Sequence, residues 1–199
     1  MNALKRELLI GKVIPAFIFF SLWMDGWLLP LILVPILYVL LVEKKSLSWL
    51  GFSTHRILRS SFFGLLITLF LFAMYYLIFL NYVSYMLEKM VIDIYSVFSD
   101  IIHYPIYEEI AYRSFVFIHF AEFNQSALSR KNLLVNSFQS ILFVSIHKHH
   151  FNLPLILIPI FLLGFLNGLL FLKTRNIFGC LASHSILNGS ALLLGYFVT

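Results

Sequence analysis

Residues 101–120 read Ile-Ile-His-Tyr-Pro-Ile-Tyr-Glu-Glu-Ile-Ala-Tyr-Arg-Ser-Phe-Val-Phe-Ile-His-Phe. The run has the length and apolarity of a membrane-crossing helix, yet Glu108, Glu109 and Arg113 stand inside it. An ionisable side chain at the centre of a spanning helix costs roughly 2.5–3.5 kcal/mol, so this group needs partners within the protein or a chemical role. Adjacent helical residues point about 100° apart, so Glu108 and Glu109 are not expected to face one reacting atom, and their roles should differ. Glu109 and Arg113 are four apart with the acid on the N-terminal side, the favourable order for an ion pair. Glu109 is thereby expected to be the neutralised, positioning acid, and Glu108 the one left to meet water or a metal. The plainer alternative is a structural ion cluster that locks helices together.

Outward from this stretch, the composition fixes the class. The chain is 61% hydrophobic, 18% aromatic and 12% charged, with mean hydropathy +0.93, against about 25% charged residues in soluble domains. An all-α, polytopic transmembrane helical bundle is predicted, with about seven spans of roughly 20 residues and the polar site buried between helices. Residues 1–199 are expected to form a single integral membrane domain. The lone Cys180 excludes an internal disulfide, and no spacing suggests a thiolate metal site. The net charge of +5 does not indicate nucleic acid as a partner, because the Lys and Arg residues lie between apolar runs, as a membrane topology signal requires.

The expected spans run Leu8–Met24, Trp27–Val42, Ile57–Leu80, Ile101–Phe120, Asn132–His147, Leu153–Leu172 and Ile177–Val198, with an amphipathic interfacial segment over Asn81–Asp100. This layout places Lys5, Arg6, Lys12, Lys44, Lys45, Arg56, Arg59, Arg130, Lys131, Lys173 and Arg175 on one side, against Lys89 and Lys148 on the other. The asymmetry predicts a cytoplasmic N-terminus. In the sixth span Gly164 and Gly168 have the small-xxx-small spacing that permits close helix approach.

Two further spans carry polar groups. Phe143 and His147 lie one helical turn apart on one face, although a histidine at a span end followed by Lys148, His149 and His150 also suits an interfacial position. His184 and Asn188 share a face well inside the seventh span. They could make a structural hydrogen bond between helices, hold a water, or stabilise an oxyanion.

Taken in order, these elements resemble the CPBP family of intramembrane proteases, which includes the type II CAAX-processing endopeptidases and the bacteriocin-processing or immunity-type proteins. The family pattern EExxxR, FxxxH and HxxxN on successive hydrophobic segments corresponds here to Glu108-Glu109 through Arg113, Phe143 through His147, and His184 through Asn188. The approach from Gly164 and Gly168 to Lys173-Thr174-Arg175-Asn176 also looks like the family's, and the resemblance covers about residues 100–190. It implies an intramembrane endopeptidase in which Glu108 activates water, His147 and His184 bind or polarise that water or the substrate carbonyl, Asn188 donates to the oxyanion, and Glu109, Arg113 and Phe143 support the site. A carboxylate withdrawn from water holds its proton more tightly and becomes a competent base near neutral pH.

The implied cofactor is none or Zn2+. Glu108, His147 and His184 are the set for a zinc ion, since catalytic zinc keeps three protein ligands and one water, but the HExxH pattern is absent, and metal-independent glutamate chemistry is the favoured alternative. The implied partners are the lipid bilayer and a membrane-associated peptide or protein substrate. A multi-pass position in a prokaryotic cell membrane is expected. Competing functions are a proton- or cation-coupled transporter and a non-catalytic immunity or assembly factor of the same family. In the span layout Glu108, His147 and His184 start at depths several Å apart at 1.5 Å per residue, so a shared site demands that they converge.

Overall fold

The computed structural model describes residues 35–86, 94–147, 152 and 154–198. The first expected span, the first half of the second, and Lys148, His149 and His150 lie outside the described residues. Among the described residues the chain is helical and without strands: α1 is Ile57–Met86, α2 the continuous rod of residues 94–120, α3 Arg130–Ile146, α4 Pro154–Thr174 and α5 Phe178–Val198. A short turn of helix at Leu47–Leu50 precedes α1.

Two of the described helices, over Ile57–Ile78 and Pro154–Thr174, are long and apolar enough to cross a membrane. Among the remaining described helices, α2 carries Asp100, Glu108, Glu109 and Arg113, and α3 has 17 residues and buries Asn132, Asn136 and Gln139.

The described part of α2 reaches back to Ile94, ahead of the expected start at Ile101, and Asp100 does not interrupt the backbone ladder. Pro105 lies inside the rod and contributes no N–H. The turn before it, Ser99–His103, is widened so that the Tyr104 N–H donates to the Ser99 carbonyl five residues back. The seven residues Glu109–Phe115 form a second widened turn, closed by the Val116 N–H on the Ala111 carbonyl, and all of them are buried. Insertions of this kind are over-represented at functional sites.

α5 packs along α1, α3 along α4, and α1 on α4. At the α1–α5 crossing the backbones touch: a Cβ on Gly64 would overlap the Gly179 carbonyl, and one on Gly179 would overlap the Ser60 carbonyl. Thr68 Oγ1 adds a 3.3 Å hydrogen bond to the Ser183 carbonyl. The spacing Ser60, Gly64, Thr68 against Gly179, Ser183 is the small-residue pattern of close membrane helix pairs. The α3–α4 seam uses Gly164 and Gly168 in the same way: Gly164 lies against Ser140 and Phe143, and Gly168 against Asn136. Asn136 and Gln139 donate across that seam to the Phe165 and Gly164 carbonyls, both at 2.9 Å.

The loop between α4 and α5 is tied to the segment before α1. The Ile177 N–H donates to the Gly51 carbonyl at 3.0 Å, and the Asn176 amide bonds the Ser53 and His55 carbonyls. These ties fix the start of α5 against α1 and α4, and through it the height of His184.

Gly179→Ala inserts a methyl group into the Ser60 backbone. A loss of about 1–3 kcal/mol is expected, read as a lowered thermal midpoint of the full chain in detergent by circular dichroism. An unchanged midpoint would refute the close crossing.

Candidate active site

The site is assembled by three helices. α2 contributes Glu108 from just before its second widened turn and Glu109 and Arg113 from within it, α3 contributes Phe143 and His147 from its C-terminal end, and α5 contributes His184. Glu109 and Arg113 are both fully buried, with Arg113 Nε 3.2 Å from Glu109 Oε2. The guanidinium carbon lies 4.2 Å from the centre of the Phe143 ring, so the cation is held by a carboxylate on one side and an aromatic face on the other.

His184 is 2% exposed and stands between the two acids. Its Nδ1 is 2.8 Å from Glu109 Oε1, and its Nε2 is 3.5 Å from Glu108 Oε2. The sequence expectation that the adjacent carboxylates would face different directions therefore needs refinement. They approach different nitrogens of one imidazole, whose two ring nitrogens point to opposite sides. Glu109, paired with Arg113, is an acceptor, so Nδ1 carries the proton and Nε2 is the end turned to Glu108.

His147 is the residue that ends α3. Its Nδ1 is 2.8 Å from the Phe143 carbonyl, which accepts only, so here too the Nδ1 proton is fixed by the protein and Nε2 is the outward nitrogen. The His147 and His184 rings both touch Phe143, at 4.8 and 5.7 Å between centres. Tyr112 meets the same ring edge-on at 5.6 Å. Asn188 lies one turn beyond His184, where its Nδ2 donates to the Asp100 carbonyl at 2.9 Å and joins α5 to the first half of α2.

Asn167 of α4 was not singled out by sequence. It is fully buried, and its Nδ2 lies 3.4 Å from Glu109 Oε1 and 3.2 Å from the Cys180 carbonyl, while the Cys180 thiol returns to the Asn167 carbonyl at 3.3 Å. The signal was available: an amide between Gly164 and Gly168, in the middle of an apolar run, poses the same problem of burial as His184.

Among the described residues no three His, Cys, Asp or Glu side chains gather closely enough to share a metal. Glu108 and His184 are adjacent and His147 packs against the shared Phe143 ring, but with no third donor gathered to them these residues do not fit the three-ligand zinc arrangement.

Two acids, an arginine and an imidazole are thus gathered and buried between the helices. Residues 90–190 match the Rce1-like family of type II CAAX prenyl endopeptidases, and the chain belongs to that family. It is thus a member of a family of membrane proteases acting on peptide or protein substrates. No curated protein and no solved structure matches the chain.

Glu109→Gln leaves a buried guanidinium without its counter-charge and should cost about 3–5 kcal/mol. The double variant Glu109→Leu with Arg113→Leu should recover much of that loss. Thermal denaturation of both in the same detergent reads the difference; a single variant within about 1 kcal/mol of the unaltered chain contradicts the buried pair.

Proposed function

We propose that the chain is an intramembrane endopeptidase of the glutamate type, cutting a peptide bond of a membrane-associated peptide or protein with a water activated by Glu108. The single observation that carries this reading is the His184 imidazole held between Glu109 and Glu108, with Nδ1 2.8 Å from Glu109 and Nε2 3.5 Å from Glu108. Glu108 takes a proton from water as the water oxygen attacks the scissile carbonyl, and returns it to the departing amine nitrogen. His184, oriented by Glu109, and His147, oriented by the Phe143 carbonyl, present Nε2 as an acceptor to the reacting water. Asn188 has a second amide hydrogen besides the one given to Asp100, and it supplies the donor for the oxyanion. Arg113 keeps Glu109 ionised, so His184 does not lose its orientation during the cycle.

The proposed arrangement in the membrane is multi-pass, about seven spans, with the N-terminus in the cytoplasm of a prokaryotic cell. Support comes from the one-sided distribution of Lys and Arg and from the outward-facing apolar side chains of α1, such as Leu58, Leu69 and Leu77.

The test is cleavage of a quenched fluorescent peptide library by the full chain in lipid vesicles. Glu108→Gln should lower the rate by at least about 10²-fold, the usual share of a general base, and a zinc chelator should leave the unaltered chain active. A Glu108→Gln variant that cuts as fast as its parent overturns the assignment. Loss of ion flux in that variant, from a parent that cuts nothing, transfers it to the transport class.

A further inference from the structure

Away from the active site, the end of the bundle where α1 and α5 begin gathers cations without acids. Arg59 Cζ and Lys173 Nζ both approach the ring of Phe63, at 5.9 and 5.5 Å from its centre. Arg56 joins them, its Nη1 donating to the Lys173 carbonyl at 3.3 Å. Arg56, Arg59 and Lys173 are exposed. The ion pairs formed among the described residues involve Arg113, His119, Lys131 and His184, so these three cations have no carboxylate partner there.

The placement is also contrary to the helix dipole. The N-terminus of a helix is its positive end and favours acids, yet the first turn of α1 contains no acidic residue and does contain Arg59. Arg56, just before it, adopts the left-handed φ of 58°, a conformation unfavourable for a side chain with a Cβ. Mutual repulsion, an opposing dipole and a strained backbone are all tolerated at one place. A fixed negative charge outside the chain would relieve the first two.

Neighbouring side chains say where that charge comes from. Leu58 and Phe62, in the same helical turn as Arg59 and Phe63, are 84% and 60% exposed. Once hydrocarbon covers those two, the phosphate layer of the bilayer stands level with Arg56, Arg59 and Lys173. We propose that Arg56, Arg59 and Lys173, gathered at the Phe63 ring, form a binding site for the phosphate of an anionic phospholipid headgroup whose acyl chains lie along Leu58 and Phe62. The site depends on the chain's membrane position and is independent of the proposed catalytic chemistry.

The experiment is native mass spectrometry of the full chain in detergent, titrated separately with phosphatidylglycerol, with phosphatidylcholine, and with phosphatidylglycerol in the presence of inorganic phosphate. The expected result is preferential retention of phosphatidylglycerol that inorganic phosphate does not displace. The double variant Arg59→Gln with Lys173→Gln should weaken retention roughly thirtyfold, at about fivefold for each surface cation near a lipid headgroup. Lys44→Gln with Lys45→Gln, which removes the same charge elsewhere, should change it little. Phe63→Leu removes the gathering ring without altering net charge and should also weaken retention. Equal retention of the two lipids overturns the proposal, as does displacement by inorganic phosphate, an equal loss in both double variants, or full retention by Phe63→Leu.

Discussion

The buried pair of Glu109 and Arg113 is the constraint on which the rest of the structure turns. A carboxylate and a guanidinium with no exposed surface are stable only while each has its partner, and each partner here has further obligations. Glu109 also holds the His184 ring and meets the Asn167 amide; Arg113 also stacks on Phe143. One ion pair therefore connects α2 to α3, α4 and α5. The close α1–α5 crossing and the polar seam between α3 and α4 then have to place their helices within the tolerance of those contacts.

The division of labour between the neighbouring acids follows from this constraint. Glu109 is occupied by a permanent cation, and its negative charge is used to orient an imidazole. Glu108 has 7% of its surface exposed and faces the far nitrogen of the same ring. Two carboxylates adjacent in sequence thus occupy different electrostatic surroundings, the condition under which paired acids take separate roles. Phe143 performs a related service for the histidines, filling the space between them while its backbone carbonyl fixes the His147 tautomer.

Much of this was legible in the sequence. The helical class followed from composition, the Glu109–Arg113 pairing from spacing, and the close approach at Gly164 and Gly168 from their small size. What was not legible depended on backbone geometry or on partners distant in the chain. The widened turn at Glu109–Phe115 leaves no mark in the pattern of apolar residues, and neither does the compensation for Pro105. The crossing of Gly64 with Gly179 joins positions 115 residues apart, and only packing reveals that their carbonyls and α-carbons touch. Asn188 was expected to look inward beside His184. Its observed hydrogen bond goes to the Asp100 backbone carbonyl, in the part of α2 that the sequence assigned to an amphipathic interfacial segment.

The shortness of α3 bears on how a reaction that consumes water proceeds inside lipid. A helix of 17 residues rises about 25 Å, less than the hydrocarbon thickness of about 30 Å. A short helix draws the bilayer surface inward or recruits water to its end. The residue at that end is His147, directly beside the aromatic ring that lines the buried cluster. On the proposed catalytic reading, the length of one helix then sets where water enters, because the feature that makes α3 a poor membrane anchor would shorten the path from solvent to the acids.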